Sequence, residues 1–146
     1  MKLLISRLNS TIDKTALKSR DFSLLLIRLI LAYGFLGPAM MKWQNIQATG
    51  DWFQSLGYPF PHLNAYLAGI TEAVGVILLI LGLGIRYISL ALIFVMFIAI
   101  TTVHLSNGFA AGSNGFEIPL YYAVMLFTLF AFGSGKYSLN TFLKNK

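Results

Sequence analysis

The 146-residue chain contains no cysteine and few charged residues, and each shortage excludes a class of function. Without thiols it has no disulfide framework, no thiol nucleophile and no thiolate metal ligand, so redox chemistry would need a bound cofactor or a partner. Charged residues make up 11% of the chain, whereas soluble domains carry about 25%. Hydrophobic residues make up 57%, too many for the polar surface of a small soluble domain to cover. The composition therefore predicts a membrane protein with one small domain.

Four apolar stretches have the length, or nearly the length, of a membrane span, which takes about 20 helical residues at a rise of 1.5 Å each. A glycine-containing turn, Gly82–Arg86, separates the second stretch from the third. The fourth is short, and extended ends or a thinner bilayer would accommodate it. The predicted fold is an all-α bundle of four transmembrane helices at Phe22–Met41, Leu63–Gly84, Tyr87–Leu105 and Glu117–Phe132.

A basic segment precedes the predicted bundle. Leu4, Leu8 and Ile12 recur every four residues with Lys and Arg between them, a pattern typical of an amphipathic helix on the membrane surface. A disordered basic tail explains the same residues equally well. The predicted organisation is a basic segment at residues 1–21, a membrane domain at 22–139 and a basic tail at 140–146.

The distribution of Lys and Arg predicts the orientation of the spans. Of the 11 such residues, only Lys42 lies in a loop on the side opposite the chain ends, and Arg28 lies within the first span. Because Lys and Arg accumulate on the cytoplasmic side of membrane proteins, both termini are expected in the cytoplasm. This topology explains the net charge of +6, and no nucleic-acid partner is predicted. The cytoplasmic basic residues would be Lys2, Arg7, Lys14, Lys18, Arg20, Arg86, Lys136, Lys144 and Lys146.

One carboxylate, Glu72, lies within the second apolar stretch, where burial without a partner is costly. It flanks Ala65, Gly69 and Ala73, whose four-residue spacing allows helices to approach closely, so Glu72 is expected inside the bundle. Arg28 is the predicted ion-pair partner. The alternatives are that Arg28 extends to the inner headgroups and that Glu72 bonds to a polar group near the outer side, such as Thr101, His104 or Lys42.

Further polar side chains are expected at the outer helix ends. Thr101 and His104 are three residues apart, and Glu117 and Tyr121 are four apart, so each pair is expected on one helix face. If these faces converge on Glu72, they line a pocket open to the outer side. No metal is predicted, because the spacing of metal-binding helix motifs is missing. The predicted ligand-binding residues are Arg28, Lys42, Glu72, Thr101, His104, Glu117 and Tyr121.

Several motifs are spaced along the chain: Arg28 followed by Gly34, Gly37 and Lys42, then Glu72-Ala-Val-Gly75, Leu81-Gly-Leu-Gly-Ile-Arg86, His104, Asn114-Gly-Phe-Glu117 and Gly133-Ser-Gly-Lys-Tyr-Ser-Leu139. In this order they resemble the DoxX family of small bacterial inner-membrane proteins. The resemblance covers roughly Phe22–Leu139 and implies a four-helix membrane architecture, a multi-pass location in the bacterial inner membrane and a link to quinone or sulfur redox chemistry. The segment NGFEIPLYY also looks like DoxX-type proteins encoded beside biosynthesis genes for modified metal-binding peptides.

The resemblance implies an accessory subunit of a membrane redox complex or of a complex that makes modified peptides. Its partners would be the lipid bilayer and other membrane or periplasmic subunits. The outer pocket would bind a quinone, with Arg28 and Glu72 organising it and His104 and Tyr121 donating hydrogen bonds to the ring oxygens. Aromatic and Met side chains, such as Phe97 and Met125, would line the groove for the tail.

Two other function classes stay open at this point. The first is a non-catalytic membrane scaffold, in which Glu72 and Arg28 only join the helices. The second is a pathway for protons or small solutes, because carboxylates within membranes often mark one.

Overall fold

The computed structural model describes residues 2–144, with side chains from residue 12 onward. The predicted all-α class is confirmed, since the regular elements among these residues are all helical. A π-helical turn, Ile100–His104, directly follows α4, and short 3₁₀ turns lie in the connection to α5. The α-helices are α1 Lys2–Gln44, α2 Ile46–Ser55, α3 Pro61–Leu81, α4 Ile85–Ala99, α5 Glu117–Phe132 and α6 Leu139–Lys144.

Three helical segments among the described residues are long and apolar enough to cross a membrane. They are Ile12–Gln44, Pro61–Leu81 and Ile85–Asn107, and they contain or largely coincide with the first three predicted spans. The fourth predicted span has the bounds of α5, an apolar helix of 16 residues that is shorter than a usual span. The loop after α1 also contains a short helix, α2.

Helix α1 is much longer than one membrane span. Its 43 residues extend about 65 Å at 1.5 Å per residue, about twice the thickness of a bilayer hydrocarbon core. The basic N-terminal residues are therefore helical and continue into the first span without a break. The side chains of Leu4 and Leu8, on which the surface-helix prediction depended, lie outside the described side chains.

The core of the bundle is formed by large apolar residues of α1, α3, α4 and α5, and glycines bring the helices close together. A Cβ at Gly34 would lie 2.0 Å from the Tyr122 hydroxyl, and one at Gly75 would lie 2.9 Å from Leu92 Cδ1. Glycine at these two positions therefore lets α1 approach α5 and α3 approach α4. The fully buried apolar side chains include Leu31, Phe35, Leu79, Leu92, Leu126 and Leu129.

The end of the bundle that carries the α3–α4 turn is called here the turn end. At this end, Arg28 connects three segments of the chain. Arg28 is completely buried. Its Nη1 donates to the Leu79 carbonyl at 3.3 Å, and its Nη2 donates to the Tyr137 carbonyl. Leu79 lies in the last turn of α3, where carbonyls lack helical partners and a cation is favoured. The guanidinium therefore joins α1, the end of α3 and the segment after α5.

Gly82 ends α3 beside this guanidinium. Its φ is +70°, a left-handed conformation that glycine adopts without strain. A Cβ at this position would also lie 2.1 Å from Arg28 Nη1. Glycine is thus favoured at residue 82 both by the backbone conformation and by the space that Arg28 occupies.

Further polar contacts place several basic residues at the turn end. Asp21 Oδ1 accepts a hydrogen bond from the Lys136 backbone at 3.0 Å, and the Lys136 ammonium lies 3.7 Å from Asp21 Oδ2. The Arg20 guanidinium lies 5.1 Å from the centre of the Phe132 ring. These contacts bring residues 20 and 21 of α1 to the end of α5.

Candidate functional site

A cavity of about 830 Å³ lies at the opposite end of the bundle, called here the loop end. Ligand pockets in proteins typically measure about 300–1,000 Å³. The cavity is enclosed by α1, α3, α4 and α5, with α2 and residues 111–115 at its outer limit. Its lining is mostly apolar, which suits an aromatic or lipid-like molecule. The apolar and aromatic lining includes Phe35, Pro38, Trp52, Phe53, Leu67, Phe94, Val95, Met96, Ile98, Val103 and Ile118.

The ion pair of the cavity wall joins α1 to α3. Lys42 Nζ lies 2.8 Å from Glu72 Oε2 and 3.0 Å from Oε1, and the two side chains are 17% and 4% exposed. Beside this pair, Trp43 Nε1 donates to the Gly69 carbonyl at 3.2 Å. Glu72 thus lies inside the bundle, as predicted from the small residues of its helix.

The predicted ion pair between Glu72 and Arg28 is wrong. Glu72 bonds to Lys42, which was one of the alternatives, whereas Arg28 bonds to backbone carbonyls at the turn end. Arg28 and Lys42 are separated by about 21 Å along the axis of α1, at 1.5 Å per residue. Arg28 consequently does not line the cavity.

His104 lines the cavity from the π-helical turn after α4. Its Nδ1 lies 2.8 Å from the Asn114 carbonyl oxygen. Because a carbonyl oxygen only accepts hydrogen bonds, Nδ1 carries the hydrogen, which makes Nε2 the acceptor of the neutral imidazole. His104 and Glu72 therefore line the same cavity.

Thr101 does not share the cavity with His104. Its side chain is exposed, and its Oγ1 donates to the carbonyls of Phe97 and Ile98 at 2.9 and 3.2 Å. The expectation that Thr101 and His104 share one face assumed α-helical geometry. The wider π-helical turn changes the rotation per residue, so the two side chains separate.

Glu117 and Tyr121 share a face of α5, as predicted, but neither lines the cavity. The Tyr121 hydroxyl donates to Glu117 Oε1 at 3.1 Å, and Glu117 Oε2 accepts from the Ala111 backbone at 2.9 Å. The Tyr121 ring also lies edge-on to Phe109, with centroids 6.5 Å apart. These two residues therefore hold the loop that covers the cavity.

The sequence reasoning missed Tyr122, which lines the cavity one residue after Tyr121. Its ring packs against Phe35 with centroids 5.5 Å apart and lies against Gly34. The signal in the sequence was Gly34, since a glycine within a span often faces a large side chain of a neighbouring helix.

Further polar and aromatic lining residues were not predicted, and the two residues predicted for the tail groove do not line the cavity. Phe97 is 60% exposed, and Met125 packs against the core. In their place, the neighbouring residues Phe94 and Met96 of α4 line the cavity. The additional polar and aromatic lining residues include Trp52, Tyr58, Asn64, Thr71 and Asn114.

The cavity combines apolar walls with a few polar groups at fixed positions. The Lys42 ammonium is a hydrogen-bond donor, whereas Glu72 and the Nε2 atom of His104 are acceptors. This combination suits a ligand with an apolar body and polar oxygens. Within the described residues, no three side chains of His, Asp or Glu are grouped as a metal ion would need.

Comparisons with known proteins agree with this architecture. The sequence pattern of the DoxX family matches residues 23–105. An uncharacterized protein of Haemophilus influenzae is 32% identical over 130 residues, which cover 84% of this chain and 83% of that protein. Another uncharacterized protein of the same organism is 36% identical over 134 residues, which cover 87% and 96%. No solved structure matches the chain. Together with its long apolar helices, these similarities show that the chain is a membrane protein and belongs to the DoxX family.

Proposed function

We propose that the protein is a subunit of a complex in the bacterial inner membrane. It would bind a membrane quinone in the cavity at its loop end. The observation that supports this most is the cavity itself, about 830 Å³ in volume and mostly apolar, with Lys42, Glu72 and His104 in its wall. A quinone has an apolar ring and tail and two ring oxygens, so its chemistry matches this distribution of groups.

The polar groups of the cavity suit both redox states of a quinone ring. An ammonium has three hydrogen-bond donors. Glu72 accepts from Lys42 through both carboxylate oxygens, and an N–H of Lys42 would donate to a quinone carbonyl. His104 Nε2 would accept from the hydroxyl of a quinol. The site would thus hold the oxidised and the reduced ring.

The proposed role is that of an accessory subunit in a redox complex or in a complex that makes modified peptides. The chain has no cysteine, so electrons for the quinone would come from a partner in the membrane or the periplasm. The bundle would hold the quinone where such a partner can reach it.

The proposed topology has four spans, with both termini in the cytoplasm and the loop end facing outward. It is supported by the location of Arg20, Lys136 and the α3–α4 turn at one end of the bundle, whereas Lys42 lies at the other. The fourth span would be α5. Its 16 residues extend about 24 Å, a length that local thinning of the bilayer accommodates.

The test is the quinone content of the protein purified in mild detergent, measured by mass spectrometry of an organic extract. Glu72→Gln removes the counter-charge that positions the Lys42 donor, and His104→Ala removes the acceptor for the quinol hydroxyl. Each should lower the total of quinone and quinol retained by about tenfold, because a lost hydrogen bond of about 1.4 kcal/mol corresponds to that factor. Lys144→Ala is the control, since Lys144 lies in α6 and does not line the cavity. A wild-type protein without quinone, or equal retention in all variants, would contradict the proposal.

A further inference from the structure

Helices α3 and α4 are close together near the turn end and separated by the cavity near the loop end. At Gly75 the two helices approach so closely that a Cβ would lie 2.9 Å from a Leu92 methyl group. Nearer the loop end, the facing residues of both helices line the cavity, among them Thr71 of α3 and Val95 of α4. The cavity therefore widens from the Gly75–Leu92 contact toward the loop end.

Three of the residues that line this wedge keep much of their surface accessible. Leu67 of α3 is 52% exposed, Phe94 of α4 is 65% exposed, and Ala91 of α4 is exposed as well. A lining side chain with this much accessible surface lies at the rim of the cavity, whereas deeper lining residues such as Met96 are 9% exposed. The cavity thus opens between α3 and α4, and the rim is apolar.

The opening is bounded at both ends. Toward the turn end it stops at the Gly75–Leu92 contact. Toward the loop end, a hydrogen bond between the hydroxyls of Tyr58 and Thr102 joins the segment before α3 to the π-helical turn after α4. The Tyr58 ring also stacks on Phe53 of α2, with centroids 4.8 Å apart. The opening consequently faces sideways, at the level of the apolar helices.

We propose that this opening is a lateral portal through which the isoprenoid tail of a quinone passes between the bilayer and the cavity. The inference rests on the proposed function for the quinone ring and adds the route of entry and the position of the tail. An apolar rim at the depth of the lipid chains lets a hydrocarbon tail pass without desolvating any polar group, whereas a hydrated solute would lose its water there. The ring would then lie near Lys42 and Glu72, and the tail would leave between Leu67 and Phe94.

The experiment uses the full chain in vesicles of phosphatidylethanolamine and phosphatidylglycerol. One probe is a benzoquinone with a photoreactive diazirine in its isoprenoid tail, and a second is a phosphatidylethanolamine with a diazirine in its acyl chain. After illumination, mass spectrometry locates the labelled residues. Met96 and Phe35 report on the interior, being 9% and 1% exposed, and Phe97 reports on the lipid-facing surface, being 60% exposed.

In the wild type, the quinone probe should label Met96 and Phe35, and the phospholipid probe should label Phe97 but not the interior. Ala91→Trp fills the portal and should lower the interior labelling by the quinone probe at least fivefold. Leu90→Trp is the matched control, because Leu90 is 50% exposed but does not line the cavity. Leu67→Trp blocks the portal from the opposite rim, so the test does not depend on the folding of one variant.

Three results would overturn the portal. They are interior labelling that persists in both blocking variants, no interior labelling of the wild type, and interior labelling by the phospholipid probe as strong as that by the quinone probe. Equilibrium binding of a benzoquinone without a tail separates this failure from that of the proposed function. If the tail-less ring binds but the tail never reaches the interior, the portal is wrong and the quinone site stands. If the tail-less ring does not bind, both are wrong.

Discussion

Glu72 and Lys42 form an ion pair that joins α3 to the loop end of α1, with Nζ and Oε2 2.8 Å apart. The carboxylate is almost fully buried, whereas the ammonium is 17% exposed and borders the cavity. A carboxylate within an apolar helix is thus compensated by a cation at the edge of the membrane region, where the cost of burying a charge is lower.

A double-mutant cycle would measure the interaction free energy between Glu72 and Lys42. Glu72→Leu and Lys42→Met should each lower the free energy of unfolding in detergent by about 3–5 kcal/mol, because each leaves the partner buried without a counter-charge. The double variant should recover much of that loss, since both charges are then gone. Losses that simply add would show that the two side chains do not interact, and thermal unfolding followed by circular dichroism supplies the values.

Arg28 should behave as an independent structural residue. Arg28→Leu removes the donors to the Leu79 and Tyr137 carbonyls, and each buried acceptor left unpaired costs about 1–3 kcal/mol. Combined with Glu72→Leu, its effect should be additive, because the two residues share no partner. Coupling of more than about 0.5 kcal/mol between them would contradict the separation of the two sites. Arg20→Gln is the control for loss of a cation on α1 near the turn end, and it should change stability by no more than about 1 kcal/mol.

Two glycines of the α3–α4 turn provide a matched pair. Gly82 and Gly84 both have positive φ, +70° and +55°, so alanine at either position carries a strain of about 1–2 kcal/mol. At Gly82 the new Cβ would also collide with Arg28, whereas at Gly84 there is no atom within 4 Å. Gly82→Ala should therefore lower the melting temperature clearly more than Gly84→Ala, and equal shifts would argue against the packing of Arg28 at the turn.

Single cysteines would test the proposed topology in a chain that has none of its own. Thr49→Cys and Asn107→Cys lie at the loop end and should react with a membrane-impermeant maleimide in whole cells or spheroplasts. Asn140→Cys lies in α6 near the turn end and should react only after the membrane is opened. The reverse pattern would place the cavity on the cytoplasmic side.

The helices and the burial of Glu72 could be predicted because they depend on patterns along one helix. Apolar length located the spans, and the small residues Ala65 and Gly69 indicated which face of α3 packs. The partner of Glu72 depends instead on how far α1 is shifted along its axis relative to α3. Hydropathy fixes that shift only to within a turn or two, so the choice between Arg28 and Lys42 could not be made from it.

The residues that line the cavity were predicted only in part, because local helix geometry decides which side chains face it. The π-helical turn at Ile100–His104 separates His104 from Thr101, and no residue of that segment indicates a π-helix on its own. On α5, the cavity faces Tyr122 while Tyr121 bonds to Glu117. One residue is a rotation of about 100° on a helix, which is smaller than the error in judging a face from a uniformly apolar helix.

Arg28 also determines how the bundle can change shape. It fixes the end of α3 to α1 and to the segment after α5. A tilt of α3 about that point would therefore move the loop end of the helix most, and the contacts of Glu72 and Gly69 with α1 would resist it. Leu67 lies about 18 Å away along the helix, at 1.5 Å per residue. A rotation of roughly 5° thus moves Leu67 by about 1.6 Å over that lever arm, while Leu79 stays in place. The buried arginine thus keeps the turn end of α3 in place, and any widening of the cavity between Leu67 and α4 would be greatest at the far end of the helix.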